Sequence, residues 1–520
     1  MLPLTATMIN FHQEISQLNG WLIVIVLSIS IFKLVQLAKQ TFLAHKWGCK
    51  AIKKSNEGNV FRRPIELLRV WKAGRLPEEH RKSFEESNAD TMYTSVLFKN
   101  IIQTKNPENV KAMVAIQFND FSIGQRQQYF QPLLGHGIFA SEGERWKHSR
   151  LMLKPQFVKE KVAHIQSLEP HLQAFCKHVR DQNGISFDIQ PLFHNLTLDA
   201  STEFLFGESI ETLRTENNIS SLEHNTRTNF EEAFNISQKY LMLRLIAGGF
   251  YFLINTKEFR QANAKVQDFT QYYVKKALAT SEEELESKSK DGYIFLYELV
   301  KKTKDPKVIQ DELLSIMLAG RNTTASLLSF IFFELSRNPV IWEKLKQEIY
   351  ACFGNNDSVN LGDITFESMK RCTYLRWVVD ETLRMYPPVP NNLRVARKDT
   401  TLPKGGGPDG ISPIFIQKGQ TIVYSTYSMH RLTEYYGKDA NTFRPERWSD
   451  LKSIGWAYMP FSSGPRICLG QQFALTEASY ITIRLAQIFP TLHSFNNEYP
   501  PKILANATMR LMDGNFISLS

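Results

Sequence analysis

One short stretch constrains this 520-residue chain more than any other: Phe461-Ser-Ser-Gly464-Pro-Arg466-Ile-Cys468-Leu-Gly470. An apolar residue leads into a tight turn marked by Gly464 and Pro465. A cation follows at Arg466, and a single cysteine then stands just before a helix expected to open at about Leu469. A helix N-terminus and backbone N–H groups aimed at the sulfur favour the thiolate. Gly464 permits the backbone angles of the turn, and Gly470 lets a flat macrocycle approach the helix. Arg466 offers a planar fork to a carboxylate. These types suit a cysteine that holds a haem iron. A buried structural cysteine after a turn is the plainer alternative. Zinc is disfavoured because no second Cys or His lies nearby at ligand spacing, and the absence of C-x-x-C-H excludes covalent c-type attachment.

Length alone would allow about three domains or one large enzyme domain. Hydrophobic residues make up 43% and charged residues 22%, which suits a globular chain with a sizeable core, and the 35 phenylalanines point to a bulky apolar interior. The cysteines (Cys49, Cys176, Cys352, Cys372, Cys468) are five and scattered, so a disulfide framework is not expected and a reducing compartment fits. The net charge of +10 implies attraction to anionic headgroups or an acidic protein. The cations are spread out and no nucleic-acid motif accompanies them.

Residues 20–38 (GWLIVIVLSISIFKLVQLA) are long and apolar enough to cross a bilayer. Lys33 near one end can snorkel to the interface. The preceding residues carry Glu14 and no Lys or Arg, unlike the basic start of a cleaved signal peptide. Lys39, Lys46, Lys50, Lys53 and Lys54 follow, which places the body of the protein on the cytosolic side. The expected division is a lumenal segment 1–19, an anchor 20–38, a linker with membrane-proximal helices 39–90, and a single domain 91–520.

Within that domain, Tyr93 to Gln103 reads as strand and Pro107 to Phe118 as a short helix. Trp146 and Arg150 fall at i and i+4 on one helix face. Helical patterns fill most of 158–335, broken by the charged run 281–290, which reads as a solvated linker. Tyr240 to Asn255 is unusually apolar but interrupted by Gly248-Gly249. It reads either as the end of a core helix or as a membrane-dipping loop. A long helix is expected from Pro306 to Ser336 with Asp305 as its cap, and short strands over 393–428. The fold class is therefore mainly α with a small β region, preceded by a transmembrane helix.

Two further constellations gain meaning together. The long helix carries Ala319-Gly320-Arg321-Asn322-Thr323-Thr324, where Gly320 is a poor helix former and a Thr323 hydroxyl can hold water. Plain helix packing with small residues is the alternative. Glu381 and Arg384 lie one helical turn apart, which is usually a surface pair. Phe443-Arg-Pro-Glu446-Arg447-Trp448 supplies a second arginine that a buried Glu381 could bridge.

Taken in order, F-x-x-G-x-R-x-C-x-G at Phe461–Gly470, E-x-x-R at Glu381–Arg384, P-E-R at Pro445–Arg447 and W-x-x-x-R at Trp146–Arg150 resemble the cytochrome P450 family of membrane-anchored haem-thiolate monooxygenases. The runs 293–299, 391–398 and 464–475 resemble its fungal n-alkane and fatty-acid ω-hydroxylase branch. The resemblance implies the P450 fold, haem b and Cys468 as axial iron ligand. It places Trp146, Arg150 and Arg466 at the propionates, with Phe461, Gly464 and Gly470 framing the thiolate. Thr323, Asn322 and Gly320 would form the oxygen-side site, and Glu381, Arg384 and Arg447 a structural triad. Asn322 departs from the acid that many relatives carry, so proton delivery is expected through water held by Thr323 and Asn322 or through another acid. Implied partners are an NADPH-dependent flavoprotein reductase, the bilayer and a lipophilic small molecule, with no nucleic acid. The implied location is the endoplasmic reticulum membrane, single-pass, with the catalytic domain in the cytosol. Alternatives are a P450 acting on another lipophilic substrate, such as a xenobiotic or secondary metabolite, and a haem-thiolate isomerase or dehydratase.

Overall fold

The helices that position the site are, in chain order, α1 (Pro3–Lys46), α2 (Arg126–Leu134), α3 (Gly143–Leu153), α4 (Gln190–Phe206), α5 (Ser221–Ala247), α6 (Lys257–Ala279), α7 (Pro306–Arg337), α8 (Thr373–Met385) and α9 (Gln471–Ile488). They come from a computed structural model that describes residues 3–520 apart from 56–62, 97–98, 158–164, 215–220, 282, 286, 288–292, 356–358 and 452–453. Parts of the expected linkers at 39–90 and 281–290 thus lie outside the described residues.

Helix α7 is the axis of the molecule. The Asp305 side chain accepts the N–H groups of Lys307 at 2.8 Å and Val308 at 3.2 Å, and Pro306 occupies the first turn where its missing N–H costs nothing. The N-terminal part of α7, through Ile309, Leu313, Leu314 and Met317, packs with Phe206, Phe230, Phe234 and Phe259. The C-terminal part, from Ala325 to Leu335, packs with Phe175, Phe193, Leu383 and Ile481 in a second apolar cluster. The phenylalanine-rich composition is thus spent on two cores that one helix threads.

The β region is small. A six-stranded sheet has the order β1-β2-β3-β6-β5-β4, from Lys53–Lys54, Thr91–Val96, Lys99–Thr104, Thr421–Ser425, Asn391–Ala396 and Phe121–Ser122. The single strand expected over Tyr93 to Gln103 is instead two antiparallel strands with Thr91 opposite Thr104. Its sequence offers no glycine or proline to mark the reversal, which is why the pattern reads as continuous.

Within Trp21–Lys46 of α1 an 18-residue window has a mean hydropathy of 2.2 and none of that window is buried in the protein. That exposure of Ile, Leu, Val and Phe is what a membrane-spanning helix requires. Past Lys46 the chain joins the sheet region at once. The Lys50 N–H donates to the Pro413 carbonyl at 2.9 Å, Trp47 stacks on Phe415 with ring centres 5.8 Å apart, and β1 pairs parallel to β2.

A fully buried carboxylate holds the C-terminal third together. Glu381 on α8 accepts both arms of Arg384 at 2.8 Å, Arg447 Nε at 3.0 Å, the Arg444 backbone N–H at 2.9 Å and Trp448 Nε1 at 3.1 Å. The remaining guanidinium donors go to backbone carbonyls of His430, Ala440, Tyr436 and Asp439 and, from Arg447, to the Asp439 carboxylate at 3.0 Å. The expected bridge of Glu381 between Arg384 and Arg447 is therefore present, and it ties α8 to the irregular chain that leads into the cysteine loop. Glu381→Gln leaves the desolvated Arg384 guanidinium without its acid and Arg447 with Asp439 alone, so it is expected to destabilise the fold by about 3–5 kcal/mol in urea unfolding.

Candidate active site

The cysteine loop is built against the segment that precedes β4. Gly464–Arg466 forms a 3-10 turn, the Cys468 N–H donates back to the Phe461 carbonyl at 3.0 Å, and α9 opens at Gln471, two residues later than expected. Gly464 has φ +70, and a Cβ there would lie 2.1 Å from the Val114 carbonyl oxygen. Only glycine satisfies both conditions. Arg150 on α3 donates to the Ile467 carbonyl at 3.1 Å, next to the cysteine. Burial pushes the Cys468 thiol up, while the Gly470 N–H and the Arg150 charge pull it down.

Cys468 is accessible to solvent although dense protein surrounds it, so its sulfur lines an internal slot and not the outer surface. A matching opening occurs on α7. This helix is buried at 309–315 and again at 324–336, yet Ile316, Leu318, Ala319, Gly320, Asn322 and Thr323 retain partial exposure. Leu469 of the cysteine loop packs in the same apolar cluster as Ile316 and Leu318, which brings the two walls together.

One edge of the slot is strongly cationic. Arg466 donates to the Ser141 carbonyl at 2.8 Å and lies 4.5 Å from the centre of the Trp146 ring, over which Arg150 also lies at 5.9 Å. Burial, followed by the neighbouring charges of Arg394 and Arg126, pushes Arg466 down to about 9. Burial and Arg394 likewise push Arg126 down to about 10. Arg126 donates to Asn392 Oδ1 at 2.6 Å, and Arg394 to the Leu393 carbonyl at 2.8 Å. Among the described residues none of these four arginines has an ion-pair partner. The carboxylate near them, Glu142, is engaged at 2.7 Å by Arg397. Desolvated guanidiniums so close together call for an anion. A haem with its two propionates fits this donor set, and the slot's thiol fits its iron.

A cleft of about 490 Å³ borders the cationic edge at Trp146, Arg394 and Arg466, and neither Cys468 nor Thr323 lines it. It opens from the outside onto the propionate side and is distinct from the slot between the cysteine loop and α7. Arg126 and Arg394 were not among the residues singled out from the sequence. Arg394 lies inside the run 391–398, but nothing around Arg126 marks it, because its meaning comes only from convergence with distant chain segments.

Across the slot, Thr323 Oγ1 donates to the Ala319 carbonyl at 2.6 Å, closing onto its own helix beside Gly320. Asn322 turns away from Thr323 and donates its amide to Gln238 on α5. Arg321 is fully buried between Glu231 at 2.8 Å and Asn235 at 2.6 Å. The sequence reading also missed Glu477 on α9. This carboxyl is fully buried beside Thr324, one of its oxygens has no hydrogen-bond partner, and burial pushes it up to about 8.

The sequence matches the cytochrome P450 family over residues 67–510. The chain belongs to the cytochrome P450 family. It is 51% identical to cytochrome P450 52A12 of Debaryomyces hansenii over 96% of each chain. It is 53% identical to cytochrome P450 52A3-B of Candida maltosa over 87% of this chain and 88% of that one. It is 50% identical to cytochrome P450 52A6 of Candida tropicalis over 96% and 98%. The crystal structure of the cytochrome P450DA haem domain superposes with a TM-score of 0.72 at 19% identity, covering 90% of this chain and 96% of that domain. This P450 is thus a haem-thiolate monooxygenase that takes NADPH-derived electrons from a reductase, and its apolar N-terminal helix anchors it to a membrane.

Gly464→Ala introduces both a disfavoured φ and a clash with backbone, so it is expected to distort the cysteine loop. The measurement is haem content per folded protein, which should fall several-fold while the circular dichroism of the helices is retained.

Proposed function

We propose that this P450 hydroxylates long-chain fatty acids or n-alkanes at or near the terminal carbon, with Cys468 as the iron ligand. The observation that carries the substrate class is the resemblance of the runs 293–299, 391–398 and 464–475 to the ω-hydroxylase branch. The lining of the slot supports it: the partly exposed Ile316, Leu318, Ala319 and Gly320 on α7 are apolar, and the polar side chains beside them, Asn322 and Thr323, are engaged by Gln238 and by the Ala319 carbonyl. When bound, the haem supplies reductive activation of O₂ and hydroxylation of an unactivated C–H bond.

The protein's own part is positioning, exclusion of water and proton supply. Trp146, Arg150, Arg466, Arg126 and Arg394 hold the propionate edge. Phe461, Gly464 and Gly470 shape the approach of the loop to the macrocycle, and Glu381, Arg384 and Arg447 fix the chain that carries it. Gly320 leaves space beside Thr323, whose hydroxyl can release its carbonyl partner and hold a water. Protons then have two sources. One is water held by Thr323 without Asn322, whose amide goes to Gln238, and the other is Glu477, which keeps its proton near neutral pH and lies beside Thr324.

The chain topology supports a lumenal segment 1–19, an anchor at 20–38 and a catalytic domain on the cytosolic face of the endoplasmic reticulum. Arg145, Lys147 and His148 are exposed on α3 beside the cysteine loop and form a basic surface for an acidic reductase. The turn Gly248–Leu253 exposes Phe250, Phe252 and Leu253 at 60–71%, which suits immersion in the bilayer. Of the two readings of 240–255, the apolar loop is the one this exposure favours.

Reconstituted enzyme assayed across a panel of fatty acids and n-alkanes tests the substrate class. Terminal or near-terminal alcohols are the expected products, and turnover confined to aromatic or steroidal compounds would overturn the reading. A second measurement addresses the protons. In Asn322→Asp, the new carboxylate can accept from Gln238 Nε2, which has no partner in the wild type. The variant should fold and should change the fraction of electrons lost as peroxide. Unchanged coupling would remove position 322 from the proton path.

A further inference from the structure

Helix α2 contains a proline, Pro132, in its interior. Proline has no N–H, so the carbonyl of Gln128 four residues earlier loses its helical donor, and the ring displaces the neighbouring turn. In this P450 the orphaned carbonyl is not left to water. Arg244, near the end of α5, donates Nη2 to the Gln128 carbonyl at 2.9 Å and Nε to the Tyr129 carbonyl at 3.0 Å. Its Nη1 reaches the opposite way, to the carbonyls of Ile254 at 2.8 Å and Tyr251 at 3.3 Å. Those two belong to the apolar turn Gly248–Leu253 and the residue that follows it. One guanidinium therefore joins two segments far apart in sequence.

Arg244 is buried, has no carboxylate partner among the described residues, and lies 4.9 Å from the Tyr251 ring, which itself packs edge-on against Tyr129 at 5.2 Å. An unpaired buried cation is unfavourable unless its donors are all directed at acceptors, so this geometry holds both segments to narrow tolerances. Helix α2 is fixed at its other points as well. Arg126 at its start belongs to the cationic edge of the haem site, and Gln267 on α6 donates to the Pro132 carbonyl at 3.0 Å. The turn that follows α2 is docked on α7, where Asp311 accepts the His136 N–H at 2.8 Å and Glu312 the Ile138 N–H at 3.0 Å. A continuous path thus runs from the exposed Phe250, Phe252 and Leu253 through Arg244 and α2 to Arg126.

We propose that Arg244 is a positioning residue that joins the apolar turn to α2, so that the membrane-facing turn and the haem-edge helix open and close as one unit. Access of a lipid-borne substrate then requires that both segments move together. The proline is part of the device, because it frees the carbonyl that lets Arg244 reach across.

Hydrogen exchange on the membrane-reconstituted holoenzyme tests this directly. Arg244→Met should raise exchange about tenfold or more in both 126–134 and 248–254, since several charge-assisted bonds are lost at once. Adding Pro132→Ala restores the helical N–H, so the double variant should regain protection in 126–134 and leave 248–254 loosened. Palmitate turnover should show KM raised with kcat retained, a split that general unfolding would not give. Should Arg244→Met lose its haem, Arg244→Lys serves instead, with smaller rises in both segments. Exchange that rises in one segment alone or in neither, or a double variant that loosens both, overturns the proposal. The exchange result is independent of the substrate assignment, so a failure with palmitate alone would count against that assignment and not against the clasp.

Discussion

Desolvation of charge is the constraint on which the rest of this structure depends. A sulfur that must ionise sits in an enclosed slot, where burial opposes ionisation. At the slot's edge, Arg126, Arg394 and Arg466 are packed together with too little local carboxylate to neutralise them. Each charge is unfavourable alone. A bound haem would answer both, its iron taking the sulfur and its propionates the guanidiniums, so that cofactor and protein would complete one another electrostatically. The same logic governs Glu381, which is buried without penalty because two guanidiniums, an indole and a backbone N–H converge on it. In that case the protein supplies both signs of charge itself.

Much of this was legible in the sequence because the constraints are local. The turn at Gly464 and its positive φ belong to a ten-residue window, although the clash with the Val114 carbonyl does not, and the cap at Asp305-Pro306 announced the start of the central helix. The i to i+4 spacing placed Trp146 and Arg150 on one face, and both reach the cysteine loop. The resemblance joined four separated motifs that no local rule connects. What escaped was set by tertiary convergence. Arg126 becomes meaningful only when α2 is laid against β5, and Glu477 only when α9 packs on α7. The two strands within 91–104 read as one because no glycine or proline marks the reversal.

Asn322 shows how position and identity separate. The motif placed it correctly one residue before Thr323, yet one residue along an α-helix is a rotation of about 100°. That rotation delivers the amide to Gln238 and leaves the hydroxyl of Thr323 facing the slot alone. We propose Glu477, buried on another helix next to Thr324, as the alternative acid. Arg244 is a similar case of function carried by a residue without a motif. Its importance follows from a proline over a hundred residues away in the chain.

In the slot bounded by α7, Cys468 is the residue proposed to present a thiolate to haem iron. The carbon monoxide difference spectrum of the dithionite-reduced protein tests it most directly. The wild type should give the strongly red-shifted Soret band of a thiolate-ligated ferrous complex, and Cys468→Ser should retain haem but lose that band. A wild-type spectrum of the histidine-ligated type, or a Cys468→Ser spectrum identical to the wild type, would contradict the account.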